Sequence, residues 1–303
     1  GISSAIAAGQ QAGLAFSRRN EQEADRIGML NLASAGFNPM AMPRMFSRIQ
    51  HSSRFLGQKP PEFLLTHPVT ESRIADAENR ARQLPRGAYR EHRYNFPLIQ
   101  KRLQVHYAEP LDALTKKLKD NASSDPISRY GLALALMKTG QFDKASQTLA
   151  ALPAELQNHL YVKLTQAELL LAEKNYSQAS LKLQQLYQLY PDSYPATVLY
   201  AQALRADNQA KAAARLLEQL SKRYPSNSFI WYELAETYGL AGNTLGVHEA
   251  RIEYFLLTGG TDKALRQIEF AMKDKQLSRT ETARLEQRKQ EAIVIRQQIK
   301  DAF

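Results

Sequence analysis

Small and large apolar residues recur at one fixed interval through the second half of the chain. Alanine occupies one position in four successive segments, 34 residues apart: Ala133, Ala167, Ala201 and Ala235. Leucine recurs at the same interval: Leu149, Leu183 and Leu217. Small residues are needed where two helices cross closely, and large apolar residues fill the spaces beside the crossing. The pattern therefore predicts stacked helix pairs from about residue 127 onward.

Polar segments separate the two predicted helices of each unit: KTGQFDKA, AEKNYSQA, RADNQAKA and LAGNTLGV. Together with Trp231, Leu234 and Tyr238 at the spacing W-x-x-L-x-x-x-Y, the 34-residue period resembles the tetratricopeptide repeat. The resemblance implies an all-α solenoid over residues 106–303, with closing helices whose faces are more polar. Such a solenoid is a binding surface and has no chemistry of its own.

The resemblance also implies which residues face a partner protein, because in this family the first helix of each unit lines the concave face. The residues at those positions are Tyr130, Met137, Tyr161, Glu168, Gln202, Arg205, Tyr232 and Glu236. Aromatic anchors among polar groups suit an extended peptide or a partner helix. For the tyrosines, packing between adjacent units is an equally good interpretation.

The segment NEQEADRIGMLNLASAG, residues 20–36, has helical spacing and ends at Gly36, a residue typical of helix C-termini. A second helix is predicted to start with Asn38 as its N-cap and Pro39 at its first position. Glu21 and Asp25 are four residues apart and project from one face. One carboxylate can then bind a metal while the next orients a histidine ligand through its ring N–H. A solvated acidic helix face is the alternative.

A second motif, LLTHPVTESRI, places His67 six residues before Arg73. The pairing of E-x-E-A-D-R with T-H-P-x-x-x-x-R-I resembles the zinc metallopeptidase family that includes the HtpX heat-shock protease and the CaaX prenyl proteases. The resemblance implies that residues 1–105 form the C-terminal half of a helical, gluzincin-type peptidase domain. It also implies that Glu21 is a zinc ligand and that Asp25 supports the ligand set.

The family's catalytic helix carries H-E-x-x-H, which supplies two zinc ligands and the general base. That motif does not occur here, since only His248 among the six histidines precedes a glutamate, and it lies in a predicted repeat. Either the motif lies upstream in a longer protease with one Zn²⁺ per chain, or the site is degenerate. The joint presence of Glu21, Asp25, His67 and Arg73, and the start at Gly1, favour the first hypothesis. The 303 residues alone are expected to be inactive.

Two roles are open for His67. It could donate a hydrogen bond to the developing oxyanion, or it could bind the metal as a fourth ligand until its loop moves. A surface-loop histidine before a proline is the third possibility. Arg73 is expected to orient this loop or to contact a carboxylate.

Charge and composition narrow the class of protein further. The net charge of +10 suggests acidic partners, nucleic acid or a membrane surface. A single aromatic residue, Tyr89, lies among the arginines of residues 80–93, which is too few for a base-stacking surface, so nucleic-acid binding is not expected. The absence of cysteine excludes thiol chemistry, and no apolar stretch approaches the ~20 residues of a transmembrane segment.

The peptidase resemblance, combined with the repeats, implies a periplasmic enzyme of a Gram-negative bacterium. Such an enzyme cleaves misassembled outer-membrane proteins, assists their assembly in a chaperone-like way and docks on the β-barrel assembly machinery. The competing hypothesis is a non-catalytic adaptor or chaperone that works through the repeats alone.

Overall fold

The computed structural model describes residues 19–55, 69–85, 89 and 94–302. Within these ranges the regular structure is α-helical throughout, in sixteen helices, which confirms the all-α prediction. The chain divides into two compact units, Gly1–Arg93 and Tyr94–Phe303. No helix within the described ranges combines the length and the apolar character needed to cross a membrane.

The first unit contains three helices in its described ranges: α1 covers residues 19–34, α2 is Ala41–Phe55 and α3 is Glu71–Gln83. Gly36 follows α1 at φ 79°, the left-handed conformation that ends many helices, as predicted. Asn38 accepts a hydrogen bond from the Met40 N–H at 2.9 Å. The helix α2 then begins at Ala41, two residues later than Pro39, because the chain first makes a turn.

Apolar side chains from all three helices form the core of the first unit. Met29 of α1, Phe46 of α2, and Ala77 and Ala81 of α3 are buried together. Burial of side chains as large as Met29 and Phe46 stabilises a fold by about 1.5–3 kcal/mol each. This core fixes the spacing between the three helices and therefore the positions of the polar residues at their edges.

The second unit is a run of packed helices. Two helices come first, then four helix pairs with one short helix after the first pair, then two closing helices. They are α4 Asn95–Tyr107, α5 Leu111–Asn121, α6 Pro126–Lys138, α7 Phe142–Ala150, α8 Ala154–Gln157, α9 Leu160–Ala172, α10 Tyr176–Leu189, α11 Tyr194–Ala206, α12 Ala210–Arg223, α13 Ser228–Ala241, α14 Thr244–Leu257, α15 Thr261–Ala271 and α16 Arg279–Ala302.

The recurring alanine and leucine positions lie in the core of these pairs, which confirms the packing predicted from their interval. All seven of those residues are buried: Ala133, Ala167, Ala201, Ala235, Leu149, Leu183 and Leu217. They belong to three successive core clusters, each formed by consecutive helix pairs. The stability of such a solenoid is the sum of the stability of each repeat and of the interfaces between neighbouring repeats.

The turn between the helices of each pair contains one residue in the left-handed conformation. These residues are Gly140 at φ 72°, Lys174 at φ 61°, Asn208 at φ 59° and Gly242 at φ 75°. They recur at the same interval as the core positions. Lysine has no intrinsic preference for this conformation, so at Lys174 the packing of the repeat imposes it.

The helix α4 belongs to the second unit, whereas the peptidase resemblance predicts that residues 95–105 belong to the peptidase domain. Leu98 of α4 is buried in the same cluster as Tyr130, and Val105 is buried against Leu118. Lys138 Nζ also donates to the Val105 and His106 carbonyl oxygens at 3.0 and 2.8 Å. These contacts make α4 the first packing layer of the repeats.

Candidate functional site

Three of the residues that the two peptidase motifs single out lie together in the first unit. Arg73 of α3 donates to both carboxylate oxygens of Asp25 on α1, from Nε to Oδ2 and from Nη2 to Oδ1, each at 2.8 Å. Its Nη1 lies 3.0 Å from Glu21 Oε2, one turn earlier on α1. We call Glu21, Asp25 and Arg73 the Arg73 cluster. Its fork geometry is the one in which arginine binds carboxylates most strongly.

Each of the three described helices of the first unit contributes to this geometry. Thr70 caps α3 and accepts the Arg73 N–H at 3.3 Å, which fixes the first turn. The guanidinium carbon of Arg73 lies 5.1 Å from the centre of the Phe46 ring of α2. Side-chain exposure is only 13% for Arg73, 18% for Glu21 and 11% for Asp25. The cluster is thus mostly shielded from water, where ion pairs are stronger.

The hydrogen bonds to Asp25 raise the pKa of Arg73 above its ordinary value. Burial acts in the opposite direction, and the charges of Asp25 and Glu21 add to the rise. Glu23 lies apart from the cluster: it pairs with Arg26 at 2.6 Å on the exposed side of α1. Its position agrees with a structural role.

The described residues do not form a complete metal site. No group of three His, Cys, Asp or Glu side chains among them lies close enough to bind a metal ion. A catalytic zinc needs three protein ligands, and the cluster offers one candidate, Glu21. Both oxygens of Asp25 accept hydrogen bonds from Arg73, so a histidine contact would share an oxygen with the guanidinium. His67 lies outside the described residues, so its two possible roles stay predictions, as does the surface-loop alternative.

The second unit has two neighbouring cavities beside the first helices of its repeats. A cavity of about 350 Å³ lies between α4, α9 and α11 and includes Tyr161, Glu168 and Gln202 in its lining. A second, of about 430 Å³, lies between α11, α13 and α14 and includes Arg205, Tyr232 and Glu236. Six of the eight residues predicted to face a partner therefore line these two cavities.

The other two residues lie elsewhere. Tyr130 has an exposure of 0% and belongs to a core cluster, so the interpretation of Tyr130 as a partner-facing residue requires correction. Its hydroxyl lies 2.9 Å from Thr165 Oγ1 and accepts from Arg102 Nη1 at 3.3 Å. Met137 is half-buried against the same cluster. Packing between units, the alternative interpretation, accounts for Tyr130.

Sequence reasoning missed the α4 side of the first cavity. Ile99 and Leu103 of α4 line it, and Arg102 lies between them. The signal was the apolar spacing Phe96, Ile99, Leu103, which forms one helix face. Arg102 donates to Glu168 at 2.6 and 3.0 Å. Burial alone would lower the pKa of Arg102, but the hydrogen bonds and charge of Glu168 outweigh it and raise that pKa.

Two family models match separate regions of the chain. Residues 1–81 match the model described as Peptidase family M48, and residues 106–169 and 170–236 match the model described as Tetratricopeptide repeat. The chain is 31% identical to the beta-barrel assembly-enhancing protease of Yersinia pestis, over 95% of this chain and 60% of that protein. It is also 31% identical to the Escherichia coli K12 protein of the same name, over 95% of this chain and 59% of that protein.

The chain therefore spans about three fifths of the length of these relatives. A tetratricopeptide repeat protein of known structure from Parabacteroides merdae is 12% identical, with a TM-score of 0.43, and covers 83% of this chain and 98% of that protein. The peptidase family match implies a metal cofactor, and the repeats imply binding to other proteins.

Proposed function

We propose that this chain, a peptidase family M48 region followed by tetratricopeptide repeats, is part of a zinc metalloendopeptidase that acts on outer-membrane β-barrel proteins during their assembly. The observation that carries the proposal is the Arg73 cluster, which joins Glu21, Asp25 and Arg73 within the region that matches the peptidase family. The names of the relatives supply the substrate class. The metal would be Zn²⁺, with Glu21 as one of its ligands.

The role of this chain's own residues is to hold that ligand in place. Arg73 binds Glu21 and Asp25 together, so neither carboxylate rotates freely, and a preoriented ligand loses less entropy when a metal arrives. Bound zinc would supply Lewis acidity and an activated water. The H-E-x-x-H ligands are not among the 303 residues, so the proposal applies to a protein in which they accompany this chain.

In this proposal the repeats hold the client or the assembly machinery while the peptidase acts. The protein would then work in the periplasm of a Gram-negative bacterium, with the β-barrel assembly machinery and its clients as partners. The cavities lined by Tyr161 and Tyr232 support a role for the repeats in polypeptide binding. A second candidate, a non-catalytic adaptor, is favoured by the incomplete ligand set among the described residues.

Zinc content distinguishes the two candidates. The measurement is zinc per chain in the natural protein that contains this sequence, beside its Glu21→Ala variant. About one zinc per chain, largely lost in Glu21→Ala, is the expected result. Glu23→Ala is the matched control, since Glu23 lies on the same helix and pairs with Arg26 outside the cluster; it should keep its zinc. Absence of zinc from the unmodified protein would favour the adaptor.

A further inference from the structure

The linings of the two cavities of the second unit are joined by a hydrogen bond and form adjacent parts of one surface. Gln202 lines the first cavity, and its Nε2 donates to Glu233 Oε2 at 3.3 Å. Glu233 lines the second cavity, where it pairs with Arg205 at 3.2 Å. We call this surface, from Ile99 on α4 to Arg251 on α14, the repeat groove.

The repeat groove has no net charge. Its charged lining residues, within the described ranges, are three arginines and three glutamates, and each arginine faces one glutamate across two helices. The pairs are Arg102 with Glu168 at 2.6 Å, Arg205 with Glu233 at 3.2 Å, and Arg251 with Glu236 at 3.9 Å. This neutrality contrasts with the net charge of +10 of the whole chain.

Apolar side chains remain exposed along the same surface. Leu103 of α4 has an exposure of 52%, and Ile99 one turn earlier is also exposed. Tyr232 and Leu240 of α13 are exposed in the second cavity. Exposed apolar side chains that line a concave surface mark a binding site more often than scattered ones do. The free energy available to a ligand here comes from covering them.

From this combination we propose that the repeat groove binds an extended, uncharged segment of an unfolded β-barrel strand, in which apolar residues alternate with neutral polar ones. The proposal rests on the proposed function, because β-barrel clients supply the substrate class. Strands of such barrels alternate apolar and polar residues, and alternate residues of an extended chain point to the same side. One side of the segment would cover Leu103 and Tyr232, and the other would face water.

The same contacts exclude an acidic tail as the preferred ligand. A carboxylate entering the groove finds Arg102 and Arg205 bound to Glu168 and Glu233 at 2.6 and 3.2 Å, so it must compete with those glutamates. Both pairs are partly buried, so removing one partner is unfavourable, and like charges brought together disfavour the wrong ligand. An uncharged segment leaves all three pairs intact.

Fluorescence anisotropy with two capped peptides tests this preference on the full 303-residue chain. One peptide alternates Val, Leu and Tyr with Ser, Thr and Gln; the other has Glu in place of each Ser. The neutral peptide should bind at least about tenfold more tightly. Its affinity should change less than about twofold between about 50 and 500 mM salt. If the acidic peptide binds more tightly and this binding disappears at high salt, the peptide is attracted to the positive charge of the whole chain, and the proposal is overturned.

Two leucine variants locate the binding. Leu103→Glu should lower the affinity for the neutral peptide about tenfold, since it puts a charge in the middle of the apolar lining. Leu181→Glu is the matched control: Leu181 has an exposure of 59%, lies on α10 and is not part of the lining. It should leave the affinity within about twofold. Equal effects of the two variants would place the binding outside the groove.

A third variant tests the role of neutrality. Glu233→Gln removes the charge that faces Arg205 while keeping the shape of the side chain. The acidic peptide should then gain at least about threefold in affinity, and the gain should disappear in high salt. No gain would contradict the argument from paired charges. None of these binding measurements depends on zinc. The proposal for the repeat groove and the proposal for the peptidase can therefore be overturned independently.

Discussion

Arginine–carboxylate pairs occur in both regions of the molecule, but with different stoichiometry. In the Arg73 cluster, within the part of the chain that the structure describes, one guanidinium faces two carboxylates, so these three groups together have a charge of −1. In the repeat groove each of three arginines faces one glutamate, and the charges cancel. An excess of one negative charge suits a cation, whereas a neutral surface with exposed apolar side chains suits an uncharged polypeptide. Among the described residues, the number of carboxylates that each arginine pairs with, more than the residue types, separates the two sites.

The largest effect on stability is expected at Arg73, which pairs with two carboxylates. Arg73→Ala should lower the free energy of unfolding of the first unit by about 3 kcal/mol, because two shielded carboxylates lose their shared cation. Urea denaturation, with hydrogen exchange of α1 and α3 amides, measures it. Arg26→Ala removes an exposed pair with Glu23 and should leave stability unchanged. If the two variants behave alike, the cluster does not hold the helices together.

A smaller effect separates buried from exposed tyrosines of the second unit. Tyr130→Phe removes a buried hydroxyl bonded to Thr165 and Arg102, so it should lower the free energy of unfolding by about 1 kcal/mol. Neutral-peptide binding should not change. Tyr232→Ala should lower the affinity for the neutral peptide several-fold and leave the free energy of unfolding nearly constant, because Tyr232 is exposed in the groove. Thermal unfolding and anisotropy on both variants give the comparison.

Local spacing predicted the features that depend on neighbours along one helix. Ala133 and Leu149 mark helix crossings because close packing tolerates few other residues there. Glu21 and Asp25 share a face because they are one turn apart. The hydrogen bond from Arg73 to Asp25 joins residues 48 apart in the sequence and depends on how α3 packs beside α1. No local sequence pattern predicts that packing. Sequence reasoning therefore left open whether Arg73 meets a carboxylate or a loop.

The error at Tyr130 has a different cause. First helices of repeats were expected to expose one face, but α4 precedes the first pair and covers that face of α6. Leu98 of α4 packs into the same cluster, and Arg102 reaches the Tyr130 hydroxyl. The 34-residue pattern begins at about residue 127, so it predicts no helix over residues 95–105. Burial depended on an element outside the repeat.

Backbone strain gives the next smaller pair of predictions. Both regions end helices with a left-handed residue, Gly36 in the first unit and Lys174 in one repeat. Lys174→Gly should raise the free energy of unfolding by about 0.5 kcal/mol, because relief of the strained φ exceeds the added chain entropy. Gly36→Lys should lower it by about 1 kcal/mol for the opposite reason. Chemical denaturation of both variants checks the signs; a loss of stability in Lys174→Gly would show that its side chain matters more than its backbone.

The smallest effect concerns another arginine shared by two carboxylates. Arg288 of α16 lies 2.7 Å from Glu253 of α14 and also pairs with Glu291. Burial raises the pKa of Glu253 above 4.5, and the charges of Glu291 and Glu249 add to the rise, whereas Arg288 opposes it. Asp125 shows the contrary shift. Burial would raise its pKa, but hydrogen bonds from Ser128 and the Ile127 N–H hold it below 3.8.

These shifts have opposite consequences for stability. The folded pKa of Glu253 is the higher one, so its contribution is complete below about pH 4.5 and is lost as the pH rises through the folded pKa. The contribution of Asp125 is present above about pH 3.8 and is lost as the pH falls. Relative to the unmodified chain, Glu253→Gln should therefore gain stability from acidic to neutral pH, and Asp125→Asn should lose it. Chemical denaturation of both variants across that pH range measures how the free energy of unfolding changes with pH. If the two variants change in the same direction, the pKa of Glu253 is lowered by Arg288 as the pKa of Asp125 is lowered by its hydrogen bonds, and the prediction is wrong.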